Sequence, residues 1–382
     1  MEKQLVPRLR FPVFKDEWQK KRLDKIVSDF IVPMRDKPKD LSGVIPWCRI
    51  EDFDGIYLSK SKSNQGVSAE TVKLMNLKVY PINTVLVSCS ANLGFCAIVK
   101  EPLITNQTFI GLNPSDKVVS EYLYYVMRNS ARRLNVLSSG TTISYLSRKQ
   151  FEKFTISVPS LPEQQKIASF LTDVDYKITK LTKKKDLLEQ YKKGIMQKIF
   201  NQELRFKDDN GNEFPEWEVK KLGDISNITT GSSNRQDSGL DGEYTFFDRS
   251  EDIRTSSRYL FDGEAVIVAG EGSDFIPKYY VGKFDLHQRT YAIMNFKDSV
   301  SKYLYYCIYF HRKYFLSQAV GSTVKSLRLP MFQKMPIKLP IIEEQTKIAN
   351  FLSELDVKIE ALNTKIEQSK AFKKGLLQQM FV

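Results

Sequence analysis

Asparagine, glutamine, arginine and lysine recur in this chain in short polar stretches whose chemistry suits recognition of a polyanion. Lys60, Lys62, Ser63, Asn64 and Gln65 crowd one stretch, Ser90 and Asn92 a second, and Asn106 and Gln107 a third. Farther along come Ser233, Asn234 and Arg235, then Arg249, Arg254 and Arg258, then Ser273, and then the run His287, Gln288, Arg289. Asn and Gln can bond an adenine edge through two atoms and Arg a guanine edge, whereas Lys, Ser, Thr and backbone amides mostly hold phosphates. Two similar turns, Gly140-Thr141-Thr142 and Gly321-Ser322-Thr323, precede Tyr145 and Arg148 in one case and Lys325 and Arg328 in the other. That pattern suits a phosphate clamp used twice.

Motifs for making or breaking bonds are missing. The sequence has no Gly-x4-Gly-Lys-Ser/Thr loop and no His-Glu-x-x-His pair. It also lacks the Asp/Asn-Pro-Pro-Tyr/Phe motif with which amino-methyltransferases hold a flipped base; Asn113-Pro114-Ser115 comes nearest and has no stacking aromatic. Gly270-Glu271-Gly272 is half of a Gly-x-Gly-x-x-Gly, with Phe275 where the third glycine belongs, and reads as a turn. His311, beside Arg312 and Lys313, reads as a surface residue and not a base. Cys48, Cys89, Cys96 and Cys307 form no Cys-x-x-Cys pair, so buried thiols in a reducing compartment are expected and no metal site. The reading is a chain that binds and does not react.

Charge supports that reading. Lys+Arg number 58 against 45 Asp+Glu, a formal net charge of +13 over 382 residues, which favours a polyanionic partner. No run of about 20 apolar residues is present, so no membrane span is expected. The first residues lack the apolar run of a signal peptide, which makes the cytoplasm the expected location.

The elements that must position these loops repeat. Shifting the sequence by 181 positions lays Glu163–Phe200 on Glu344–Phe381, with 17 of 38 aligned residues identical, against about two by chance. The same shift pairs Tyr122-Leu123-Tyr124-Tyr125 with Tyr303-Leu304-Tyr305-Tyr306. A slightly different one pairs Leu9-Arg10-Phe11 and Trp18 with Leu204-Arg205-Phe206 and Trp217. By contrast, residues 32–92 and 230–275 show no convincing resemblance, so similar supports carry dissimilar modules.

Each duplicated segment predicts a long helix with a heptad seam. In the first, Ile167, Leu171, Val174, Ile178, Leu181 and Leu188 follow steps of three and four, and Lys185 and Lys192 hold two intervening seam positions. In the second, Ile348, Leu352, Leu355, Ile359, Leu362 and Ile366 do the same. Ser160, Pro162 and Glu163 predict a capping-box start. A helix from there to Phe200 would run about 57 Å and needs a partner, the obvious one being the other copy. An antiparallel pairing with an approximate twofold axis is favoured; the alternative is that each helix packs on its own domain. Interior Gly194 and Gly375 would bend the helices or admit close packing.

Val85–Ser88 and Ala265–Val268 read as strands, Ser120–Leu134 and Ser301–Phe315 as helices with tyrosine-rich faces. The fold expected is α+β, two globular recognition domains joined by two long helices in an antiparallel coiled coil. Its domains are residues 1–158, a central helix 159–200, residues 201–339, and a terminal helix 340–382.

On these residues the chain resembles the specificity subunits of type I restriction-modification systems. The motifs that carry the resemblance are the segment Leu161–Leu171 echoed at Ile342–Leu352, the Lys-Lys-Gly ends of both helices, and the two Gly-Thr/Ser-Thr turns. The second copy departs by having Ile341-Ile342-Glu343 where the first has Ser160-Leu161-Pro162, which weakens its cap. The resemblance implies two target recognition domains, each reading half of a split site in double-stranded DNA, roughly one helical turn or about 34 Å apart. It implies two modification subunits, docked on the helices and bringing S-adenosylmethionine and adenine N6 chemistry. Two motor-nuclease restriction subunits would use ATP and Mg, and no cofactor would bind this chain itself. Two other readings remain at this point: an autonomous DNA methyltransferase or nuclease with diverged motifs, and a structural coiled-coil adaptor.

Overall fold

A computed structural model describes residues 6–33, 37–90, 93–138, 145–250 and 252–382. The chain forms two compact units, one of residues 1–183 with 363–382 and the other of residues 184–362. Both long helices, Leu161–Phe200 and Ile342–Met380, are continuous and are shared between the units.

In the first unit a five-stranded sheet runs in the order Val27–Ile31, Phe109–Pro114, Val85–Ser88, Cys96–Val99, Tyr57–Leu58. Neighbours are antiparallel except Tyr57–Leu58, which lies parallel to Cys96–Val99. Two of its inner strands, Val85–Ser88 and Cys96–Val99, are buried on both faces. Val85, Val87, Cys96 and Ile98 face a helical layer containing Tyr122, Leu123 and Met127, while Leu86, Ala97 and Val99 face a smaller cluster around Tyr80.

The second unit has a six-stranded sheet in the order Asn227–Thr230, Thr290–Met294, Phe261–Ala269, Lys278–Leu286, Tyr244–Phe247, Arg254–Ser256. Here too the Tyr244–Phe247 strand is the parallel neighbour. Order and directions therefore repeat those of the first unit over five strands, with Arg254–Ser256 added at the edge. The lack of resemblance between residues 32–92 and 230–275 does not extend to this sheet, although the first unit also has a small sheet of Gly66–Val67, Ile45–Cys48 and Ile104–Thr105. An apolar strand constrains its residues only to be apolar and to alternate or stay buried, so one topology accepts unrelated strands.

Within the first unit the start of the first long helix packs beside the end of the second. Ile167, Ala168 and Leu171 share a core with Leu376 and Met380, and Val174 packs against it. Asp175 accepts from Lys373 Nζ at 2.5 and 2.7 Å and from the Tyr125 hydroxyl at 2.8 Å. The second unit repeats this with roles exchanged. Lys192 on the first helix bonds Asp356 on the second, and Asp356 also accepts from Tyr306 at 2.6 Å. Ile348, Leu352 and Leu355 share that unit's core with Met196, Ile199 and Phe200, and Leu188 packs against it. Leu362 and Ile366 are buried as well, whereas Ile178, Leu181 and Ile359 are half-buried. The helices thus run antiparallel in each unit, each beginning in one unit and ending in the core of the other.

Glu163 does not form the expected capping box. Its carboxylate is buried and takes Arg10 Nε at 2.7 Å, Arg10 Nη2 at 2.8 Å and Trp18 Nε1 at 3.2 Å. Glu344 repeats the arrangement with Arg205 Nη2 at 2.8 Å and Trp217 Nε1 at 2.9 Å. A buried carboxylate needs charged and hydrogen-bonding partners more than an exposed backbone amide does, so the repeated Arg and Trp capture it. The glutamines that follow are buried too. Gln164 Oε1 accepts from Val119 N at 3.0 Å and Gln345 Oε1 from Val300 N at 2.8 Å, which ties each helix start to the tyrosine-rich helix above it.

Three smaller expectations need correction. The tyrosine-rich helices are broken, into Ser120–Asn129 with Ala131–Leu137 and into Ser301–Phe310 with Lys313–Gln318. Ser130 leaves helical geometry with ψ near 4°, and its amide is shared between Val126 O and Met127 O. His311 lies between these last two helices, against the rings of Phe200 and Phe310, where burial lowers its pKa. Glu271-Gly272 is a two-residue strand paired with Lys325-Ser326, not a turn. The four cysteines are free and buried.

A Cβ added at Gly194 or Gly375 would meet no heavy atom within 4 Å, so close packing does not call for either glycine. Alanine at either site is expected to stabilise the protein by about 1 kcal/mol, a rise of about 2–4 °C in thermal midpoint for a unit of this size. An unchanged or lower midpoint would mean that the glycine serves a bend.

Candidate nucleic-acid interface

In the second unit the sheet edges bring several of the basic and amide side chains together. Gly270 N donates to Arg289 O at 2.8 Å and Leu327 N to Gly270 O at 2.7 Å, so the end of the central strand, the turn His287–Arg289 and the segment after Gly321-Ser322-Thr323 meet. A cleft of about 230 Å³ opens there, lined by Arg235, Asp248, Arg249, Glu271, His287, Gln288 and Arg289. Glu271 holds two guanidiniums, Arg289 Nη1 at 2.6 Å and Arg249 Nη1 at 3.6 Å, while Arg235 Nε stands 4.0 Å from Asp248. All three arginines remain more than half exposed. Pairs that exposed contribute little to stability, and a phosphate or base edge can displace the carboxylates.

Burial pushes the Asp248 carboxyl up, but hydrogen bonds from Ser250, with Arg235 and His287 nearby, hold it below its ordinary value. Burial also lowers His287, against the pull of Asp248, so the imidazole is neutral near pH 7. Its Nδ1 accepts from Arg289 N at 3.1 Å, which places the remaining proton on Nε2 as a donor. Gln288 Nε2 donates to Asn234 Oδ1 at 2.7 Å, joining two predicted residues into one amide pair. The chain brings these together because Ser233 pairs with His287 in a parallel bridge, with Gln288 N bonded to Ser233 O at 2.9 Å.

Arg258 also belongs here, its Nη2 lying 2.8 Å from Ser233 Oγ. Arg254 turns toward Ser238 O at 3.5 Å, and its Nε is buried without a hydrogen-bond partner. Ser273, Ser322, Thr323, Lys325 and Arg328 are exposed around the paired strands Glu271-Gly272 and Lys325-Ser326.

The first unit repeats the framework with different side chains. Cys89 N donates to Thr108 O at 2.8 Å and Leu146 N to Cys89 O at 2.9 Å, the counterparts of the Gly270 bonds. Ser90 bridges Tyr145, and Asn106-Gln107 lies at the turn that Thr108 follows. Gln107 thus occupies the place of Gln288, and both side chains are exposed. Asn106 Oδ1 is engaged locally by Thr108 Oγ1 at 2.6 Å. Asn92, Thr141 and Thr142 lie outside the described residues.

Lys60, Lys62, Ser63, Asn64 and Gln65 form a separate loop, with Asn64 at φ 54° and Trp47 N bonded to Gln65 O at 2.9 Å. Arg148 is occupied elsewhere, paired with Glu152 at 2.8 Å and set over the Phe30 ring.

The sequence reading missed the carboxylates Asp248, Glu271, Asp285 and Asp52, which order the basic loops. Their positions among Arg, Lys and Ser were visible, but their burial was not.

The sequence model of a family described as the type I restriction modification DNA specificity domain matches residues 15–190 and again 215–370. The MjaIX type I restriction enzyme specificity subunit of Methanocaldococcus jannaschii is 31% identical over 275 residues, 68% of this chain and 61% of its own length. The MjaVIII type I restriction enzyme specificity subunit of the same organism is 24% identical over 97% of this chain and 92% of its own. Among solved structures, the S subunit of a type I restriction-modification system from M. genitalium superposes with a TM-score of 0.70 at 15% identity, covering 99% of each chain, which is a likeness of fold. No described helix is long and apolar enough to cross a membrane, and no described group of three or more His, Cys, Asp or Glu is placed to hold a metal ion.

Proposed function

This chain belongs to the type I restriction modification DNA specificity domain family, and from that premise we propose that it reads a split site in double-stranded DNA, one half-site per unit. The observation that carries the reading is the repeat of one sheet topology with unlike side chains at matching places. Gln107 and Gln288 stand at the same turn, but the second unit surrounds its glutamine with Asn234, His287 and three arginines. Two unlike half-sites require two unlike readers on equivalent supports. The net charge of +13 supplies the attraction to phosphate.

In this reading the chain is the specificity subunit and is not itself catalytic. Modification subunits, two per chain, dock on the equivalent helices and bring S-adenosylmethionine. Two restriction subunits bring ATP and Mg. The site of action is the cytoplasm, where the DNA is.

The test is competition binding by the full chain assembled with its modification subunit, across a salt series. A duplex selected from a random library is expected to displace a labelled probe at far lower concentration than unselected duplex, with the logarithm of affinity falling linearly in log salt. Equal competition by selected and unselected DNA at every salt concentration would refute base reading.

A further inference from the structure

Among the described residues, Asp52 in the first unit and Asp285 in the second are buried aspartates that no helix-packing requirement explains. In the second unit Asp285 is fully buried at the end of the strand Lys278–Leu286. Its Oδ1 accepts from Ser233 Oγ at 2.6 Å and from Leu286 N at 2.8 Å, and its Oδ2 accepts from Ser256 Oγ at 2.8 Å. Arg258 Nε stands 3.8 Å from Oδ2. One carboxylate thereby fixes three separate segments: the loop that carries Asn234 and Arg235, the edge strand Arg254–Ser256, and the head of Arg258.

In the first unit Asp52 plays the corresponding part at a different place in the fold. It is buried at the end of the short turn Ile50–Asp52. Oδ2 accepts from Arg49 N and Oδ1 from Lys62 N, each at 2.7 Å, with Ser61 Oγ at 3.5 Å. These bonds pin the loop that presents Lys60, Lys62, Ser63 and Asn64.

Burying a carboxylate costs several kcal/mol in desolvation, and an apolar residue of similar volume often stabilises a fold as well or better. What an apolar residue cannot do is orient hydroxyls, amides and a guanidinium. Apart from the bond from Leu286 N to Asp285, both aspartates spend their acceptors on the polar loops and the edge strand. We propose that Asp52 and Asp285 are positioning residues, each setting the base preference of its own unit and not of the other. The proposal rests on the DNA-reading function above.

The experiment selects duplexes from a random library with the full chain in complex with its modification subunit, in wild-type, Asp52→Asn and Asp285→Asn forms. Asparagine at 52 offers one carbonyl oxygen to two amides, and its NH2 faces the other amide in either orientation. Asparagine at 285 keeps one acceptor and loses the charge that faces Arg258. Wild type is expected to yield two blocks of specified bases. Each variant should lose tenfold or more of its discrimination in one block, a different block for each variant, with the other block intact and salt-dependent binding retained.

A general structural role would erode both blocks together, and that result, or two unchanged blocks in both variants, overturns the proposal while leaving the DNA-reading function standing. A wild type that selects no blocks overturns the function itself. If Asp285→Asn does not fold, Ser233→Ala removes one contact of the same network and is read in the same way.

Discussion

Glu163→Ala is expected to destabilise the unit of residues 1–183 and 363–382 by about 3–5 kcal/mol, the cost of leaving a buried charge unpaired. The carboxylate is the acceptor for both Arg10, whose side chain is mostly buried, and the Trp18 indole, and alanine supplies neither of them with a replacement. A guanidinium keeps its proton at any ordinary pH, so Arg10 cannot escape the loss by giving it up. Because the chain has two units, a single midpoint would blur the effect. Hydrogen exchange read by mass spectrometry resolves it: protection should fall in the first unit for Glu163→Ala and in the second for Glu344→Ala. Unchanged protection in the matching unit would show that the buried ion pair does not hold the helix start to its module.

The second large effect concerns reading. Arg235→Ala or Gln288→Ala is expected to cost about 1–3 kcal/mol of discrimination, roughly five- to 150-fold, at one half-site. Gln288 matters twice, because its amide also fixes the Asn234 carbonyl oxygen. Lys62→Ala, at an exposed lysine held by Glu51 O at 2.8 Å, should instead weaken all sequences alike and reduce the salt slope by about one. Uniform weakening by Arg235→Ala would place that arginine on phosphate and remove it from base reading.

Much of the support structure was legible in the sequence, and the reasons are local. The helix starts and ends repeat at a fixed shift, and the seam leucines and isoleucines mark the buried stripe. Lys192 was visible at a seam position, but its partner Asp356 was not, because a heptad pattern gives the stripe and not the register between two helices. The link from Arg10 and Trp18 to Glu163 joins residues far apart in the chain. Its signal was present all the same, since every member recurs as Arg205, Trp217 and Glu344 in the second repeat.

The common topology of the two sheets left only a faint trace: at the shift of 181 Val85 and Val87 fall on Val266 and Val268, but short apolar matches of this kind do not reveal strand order. The candidate interface was legible by type and not by grouping. Arg235, Arg249, His287, Gln288 and Arg289 stood out as chemistry, yet it takes the bonds of Ser233 and Asn234 to the segment around His287 and Gln288 to bring the first of them to the last. Arg148 pairs with Glu152 one turn later, a local contact that the i to i+4 spacing made visible.

The central claim is that this one chain specifies both halves of a split DNA site. Single-molecule methylome sequencing tests it most directly, comparing cells that express the chain with its cognate modification subunit against cells that lack the chain. The account predicts a new bipartite motif with N6-methyladenine on both strands, its two halves separated by an unspecified gap. With both subunits expressed and assembled, the absence of any new motif would contradict it.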